Sequence, residues 1–152
     1  MNGGSRVEVR RRLAAPAPTV FRAFAEPELV ARWLTPSPEV KLTVLAFDFR
    51  EQGRYRFAYD VPDGRRMIVG GSYRAIEPPA RLVFSWLVEP PDEHAGIETE
   101  VTVTITPDGT GSELVIVHAK WGRSDAEQRH AEGWGGALVQ LAGLLEPLAR
   151  TV

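Results

Sequence analysis

Hydrophobic and polar residues keep two rhythms along this chain. Near its C-terminal end, Trp134, Ala137, Leu138, Leu141, Leu144, Leu145 and Leu148 recur at steps of three and four, which puts them on one stripe of a helix over residues 133–148. Between residues 40 and 120 the step is two. Tyr55, Phe57 and Tyr59 alternate with Arg54, Arg56 and Ala58; Leu82, Phe84 and Trp86 share a side; Val101, Val103 and Ile105 alternate with Thr102, Thr104 and Thr106. Gly53, Asp63-Gly64, Pro78-Pro79 and Asp108-Gly109 supply turns, so six strands are predicted near 42–50, 54–59, 66–76, 81–88, 101–106 and 113–120. The Gly70-Gly71 pair marks a bulge or a close backbone approach, and residues 89–96 read as a loop. Upstream, Val7 and Val9 alternate with charged residues in a strand over 6–13. Two short helices follow: one carries Val20, Phe21 and Phe24, and the other opens at Pro27, carries Leu29, Val30 and Trp33, and ends before Pro36.

The order is strand, two short helices, six strands, one long helix. An antiparallel sheet that is apolar on one face must cover that face, and only the terminal helix is long enough to do so. The predicted fold is therefore α+β, with a curved antiparallel sheet of about seven strands wrapped around the long C-terminal helix. That helix carries Gly133, Gly135, Gly136 and Gly143, each costing about 1 kcal/mol relative to alanine in a helix interior. Either neighbouring backbone comes very close or the helix leaves room for a ligand. Trp134, flanked by glycines, is expected to lie across the wall or mouth of such a space. Ser124-Asp125 is the expected cap.

Composition narrows the function more than the fold. A chain of 152 residues suits one domain, with Met1 to Ser5 as a polar tail. Eighteen Lys and Arg against 20 Asp and Glu leave a formal charge of -2, which argues against nucleic acid and anionic membranes as partners. With no cysteine there is no disulfide and no thiolate chemistry, and a cytoplasmic location is expected. No run approaches the roughly 20 apolar residues of a membrane span.

His118 shares a face with Leu114 and Ile116, pointing toward the helix, where an imidazole could orient a ligand or act as a general base; a satisfied interior histidine is the plainer reading. His130 and Glu132 lack metal-ligand spacing, so neither a metal nor a cofactor is expected. Tyr55, Tyr59, Tyr73 and Trp86 each combine an apolar body with a polar tip, suiting an amphipathic guest or an aromatic core. Asp48 and Arg50 form an expected surface pair, and Arg10 to Arg12 a solvated strand face.

Phe21-Arg22-Ala23-Phe24, Pro27-Glu28-Leu29, Arg32-Trp33, Asp48-Phe49-Arg50, Gly53-Arg54-Tyr55, Gly71-Ser72-Tyr73, Pro78-Pro79 and the run from Arg81 to Trp86 stand in order, followed by His118 and Gly133-Trp134. In these the chain resembles the family named after the heat shock protein 90 ATPase activator, within the START-like or helix-grip superfamily. Two positions depart from that pattern: Gln52 stands where a glycine is common, and Glu26 precedes the helix-opening proline where Asp or Thr is common. The resemblance implies a small hydrophobic or amphipathic ligand held between sheet and helix. Residues expected to line the space are Trp33, Tyr55, Phe57, Tyr59, Met67, Phe84, Trp86, Val101, Val103, His118, Trp134, Leu138 and Leu141. A cyclase- or hydrolase-like enzyme using His118 with Tyr59, and a chaperone-binding domain, are the alternatives, and a homodimer is compatible with each.

Overall fold

The structure is a computed structural model that describes residues 5–89, 98–121 and 133–145. Seven strands form one antiparallel sheet: β1 (Ser5–Leu13), β2 (Lys41–Phe47), β3 (Arg54–Asp60), β4 (Arg66–Glu77), β5 (Arg81–Val88), β6 (Glu98–Asp108) and β7 (Gly111–Trp121). Their spatial order is β1-β7-β6-β5-β4-β3-β2, so the chain's first two strands form opposite edges. Two helices, α1 (Ala17–Ala25) and α2 (Pro27–Trp33), carry the backbone from one edge to the other. Helix α1 rests near β6 and β7, and α2 near β2. A third helix, α3, covers residues 133–145. The expected Ser124-Asp125 cap, His94, His130, Glu132 and Leu148 lie outside the described residues.

Alternation sorts the sheet into two faces. Leu114, Ile116 and His118 of β7, Val101, Val103 and Ile105 of β6, and Leu82, Phe84 and Trp86 of β5 are all buried on the inner face. From α3, Trp134, Ala137, Leu138, Leu141 and Leu145 join the same core, while Gly135, Val139 and Gly143 face outward. The outer face carries arginines in surface ion pairs, including Arg56 with Glu89, Arg66 with Asp60 and Arg12 with Asp108. Each such pair contributes little stability but keeps the convex side wet. Register breaks at Val44/Ala46 in β2 and Tyr73/Ala75 in β4 add the local twist that lets the sheet curl.

Proline starts both short helices. Neither has a side-chain cap at its N-terminus; Glu26, preceding Pro27, pairs back to Arg22 at 2.8 Å instead. The two helices form a unit through Trp33, whose Nε1 donates to the Ala23 carbonyl at 2.8 Å and whose ring meets Phe24 edge-on. The strand expected over 42–50 is shorter. It ends at Phe47, because Asp48 to Gly53 form a turn in which Gln52 takes a positive φ of 69° and Arg50 pairs with Asp48. The sixth strand starts three residues earlier than expected, at Glu98.

The helix glycines divide by role. A methyl group on Gly136 would collide with the Pro36 carbonyl oxygen, so here α3 packs backbone to backbone against the turn after α2. Gln140, one turn further on, donates to the Thr35 carbonyl at 2.6 Å and to Thr35 Oγ1 at 2.8 Å, fastening the same contact. Gly135 and Gly143 meet open space on the exposed side. Of the two readings of the helix glycines, close backbone approach is the one seen at Gly136.

Candidate functional site

The predicted site residues separate into three groups. At one end of the inner face, Trp86, His118 and Trp134 meet, with ring centroids 5.4 to 6.0 Å apart. His118 is fully buried. Trp134 Nε1 lies 3.0 Å from its Nδ1, and Thr99 Oγ1 lies 2.7 Å from its Nε2. An indole nitrogen only donates, so Nδ1 is the acceptor and the ring proton sits on Nε2, facing Thr99. The Thr99 hydroxyl is then free to donate to the Trp86 carbonyl at 3.1 Å. This chain of bonds fixes the neutral tautomer and pins α3 to β7, β6 and β5. Trp134 is accordingly locked, and does not lie loose across a mouth. Thr99 was missed in the sequence, although it stands two residues before Val101 and thus on the same face.

At the other end, nearer α1, Tyr55, Phe57, Tyr73 and Phe84 form an aromatic cluster that continues through Phe47 and Phe49 to Phe21 of α1. Tyr55 Oη donates to the Ser85 carbonyl at 2.6 Å. Its path crosses β4 at Gly71, its register partner, where a side chain would collide with that same carbonyl. The Gly70-Gly71 signal thus marks a close approach, whereas the register break falls at Tyr73/Ala75. Trp33 is spent on joining α1 to α2, and Val101, Val103, Leu138 and Leu141 are buried core.

Tyr59 and Met67 make the third group. They face one another across β3 and β4, and Leu42 of β2 sits on the far side of Tyr59. Tyr59 is 4% exposed, and its hydroxyl has no hydrogen-bond partner among the described residues. Burial alone pushes this phenol far above the usual tyrosine range. The cover is incomplete here: Val44, Phe47 and Met67 point inward yet stay half-buried. A separate open depression of about 430 Å³, lined by Gln52, Arg54, Ser72, Tyr73 and Arg74, lies on the outer side of β3 and β4.

The His118 imidazole nitrogens are engaged by Trp134 and Thr99, and no hydrogen bond joins His118 to Tyr59 among the described residues. Among the described residues no three His, Asp or Glu side chains gather as metal ligands, and no helix is long and apolar enough to cross a membrane.

Sheet order, the crossover helices and the helix-to-sheet clamp can be compared with known proteins. The family profile described as activator of Hsp90 ATPase homolog 1-like protein matches residues 14–146. The chain belongs to this family. A crystal structure of a Chromobacterium violaceum protein superposes with a TM-score of 0.85 at 29% identity, covering 93% of this chain and 97% of that one. A Rhodobacter sphaeroides protein matches at 27% identity and 0.78, with 97% of each chain covered. The AHSA1 protein of Silicibacter pomeroyi shares the fold at 0.81 and 22% identity, over 93% of this chain and 97% of that. No curated protein matches. The helix-grip architecture is therefore that of this ATPase-activator-homologue family.

Proposed function

We propose that this family member binds a small, mainly hydrophobic molecule on the inner face of the sheet, at the β2–β4 side, without catalysing a reaction. The observation that carries this reading is the uneven cover of the inner face. Over β5 to β7, α3 packs through Trp134 onto His118 and the inward side chains are buried, whereas over β2 to β4 the inward Val44, Phe47 and Met67 remain half-buried. Apolar groups left half-covered beside a finished core offer a guest about 25 cal/mol for each Å² it removes from water. The engagement of both His118 nitrogens supports binding over acid–base catalysis, because a general base needs a nitrogen free to reach its substrate.

Thermal melts and native mass spectrometry against small aromatic and aliphatic compounds test the reading. The expected result is a concentration-dependent rise in melting temperature with a bound mass of one guest per chain. A melting temperature indifferent to every compound up to its solubility limit would sink it.

A further inference from the structure

The outward arginines of β3 and β4 differ in what balances their charge. Arg56 pairs with Glu89, Arg66 with Asp60, and Arg74 with Glu98 at 3.2 Å and Glu100 at 3.8 Å. Arg54 pairs with no carboxylate among the described residues. The acids of the turn before it are engaged: Asp48 accepts from Arg50 at 2.9 Å, and Glu51 from the Ile76 N–H at 3.3 Å. Arg54 stands opposite Ser72 across the β3–β4 ladder with Arg74 on the diagonal, and these three line the open outer depression together with Gln52. Gln52 is a second, independent sign. Its φ of 69° disfavours any residue with a side chain, and its side-chain amide bonds no described residue that would offset the cost. The Gln52 N–H donates to the Tyr73 carbonyl at 2.7 Å, a bond glycine would make equally well. Strained backbone of this kind clusters at ligand clamps, where the side chain has a use beyond the fold.

We propose that this depression binds the carboxylate group of a small polar molecule. The Arg54 guanidinium receives the two carboxylate oxygens on its parallel N–H groups, a match of planar forks that an ammonium would not give. Gln52 adds its amide as a donor, and Ser72, whose own N–H is spent on Ser85 Oγ at 2.9 Å, adds its hydroxyl. Because Arg74 is already shared with Glu98 and Glu100, the depression carries the one unbalanced charge of Arg54, which suits a singly charged carboxylate better than a doubly charged phosphate. The site lies on the opposite side of the sheet from the inner face and does not rest on the binding function proposed above.

Lactate and its neutral analogue lactamide test the site, each titrated at fixed ionic strength into ¹⁵N-labelled protein while the Gln52 side-chain amide and the Arg54 Nε–H signals are followed. Lactate should move both signals to saturation and lactamide neither. Arg54→Gln should weaken lactate about 5- to 10-fold, and Arg54→Lys, which keeps the charge but not the fork, about threefold. Gln52→Gly should weaken it about threefold while raising the melting temperature, a combination that a purely structural role would not give. Arg65→Gln removes an equal charge from the turn at the far end of β3, where Arg65 pairs with Asp63, and should change the affinity by less than about twofold. Inorganic phosphate should bind no more tightly than lactate. Equal weakening by Arg54→Gln and Arg65→Gln would reduce the effect to net charge and overturn the site, as would equal shifts with lactamide. Phosphate binding tighter than lactate would overturn the carboxylate assignment, and signals unmoved up to about 50 mM lactate would overturn the proposal outright.

Discussion

Trp134 donates its indole proton to His118 Nδ1 at 3.0 Å, and this bond joins the terminal helix to the strand beside the sheet's edge. Both partners are buried, so neither can exchange the bond for water. Trp134→Ala should destabilise the protein by about 3–5 kcal/mol through the hole it leaves. Trp134→Phe, which keeps most of the ring volume but orphans the imidazole acceptor, should cost about 1–3 kcal/mol. Urea melts check both values. A loss below 1 kcal/mol for the alanine variant would show that the indole fills no core.

The glycines of α3 should respond in opposite ways. Gly135→Ala and Gly143→Ala place a methyl group in open space and raise helix propensity, so each should stabilise by about 0.5–1 kcal/mol. Gly136→Ala gains the same propensity but drives the new methyl into the Pro36 carbonyl. It should destabilise by more than about 1 kcal/mol, since backbone must move to admit it. Three denaturant curves at constant m decide the matter; equal effects at all three glycines would remove the close approach from the account.

Gln52 occupies a left-handed conformation at φ 69° in the turn that ends β2. A side chain there costs roughly 1–2 kcal/mol, partly offset by the greater freedom glycine has in the unfolded chain. Gln52→Gly should therefore raise stability by about 0.5–1 kcal/mol, and Gln52→Val should lower it. Thermal melts of the two variants should straddle the wild type.

All three tyrosines are buried, and burial raises each phenol above its ordinary value, with Tyr59 and Tyr73 adding to the effect on Tyr55. The folded protein thus holds these protons at pH values where the unfolded chain has released them. Their contribution to stability is complete below about pH 10, the ordinary tyrosine value, and is lost as pH climbs above it. Absorbance near 295 nm should stay flat through about pH 10 and then rise together with the loss of far-ultraviolet circular dichroism. Tyrosinate forming near pH 10 in a protein that is still folded would contradict the burial.

The alternation of Tyr55, Phe57 and Tyr59 and of Val101, Val103 and Ile105 made the strands and their inner face legible in the sequence, and Pro27 made the start of the second short helix so. What could not be read was which partner each inward residue meets. Gly136 and Gly135 are neighbours in a single glycine-rich run, yet one touches Pro36 and the other nothing, because the contact depends on a turn a hundred residues away. Trp33, Trp86 and Trp134 look alike as apolar rings with polar tips. Only packing shows that Trp33 joins two helices while Trp134 fixes a histidine. Thr99 was hidden beside a Pro- and Asp-rich stretch that masked the start of its strand.

The central claim is that a guest is received beside Met67 and not at the locked Trp134–His118 end. The chain has two methionines, Met1 and Met67, so a protein labelled with ¹³C at the methionine methyl groups gives two signals, one of them from the site. Titration with 2-acetylnaphthalene should move the Met67 methyl signal to saturation, through the ring current of the guest, while the Trp33 indole proton, bonded to the Ala23 carbonyl, stays still. A Met67 signal that does not move while the same sample shows bound probe would place the guest elsewhere and contradict the account.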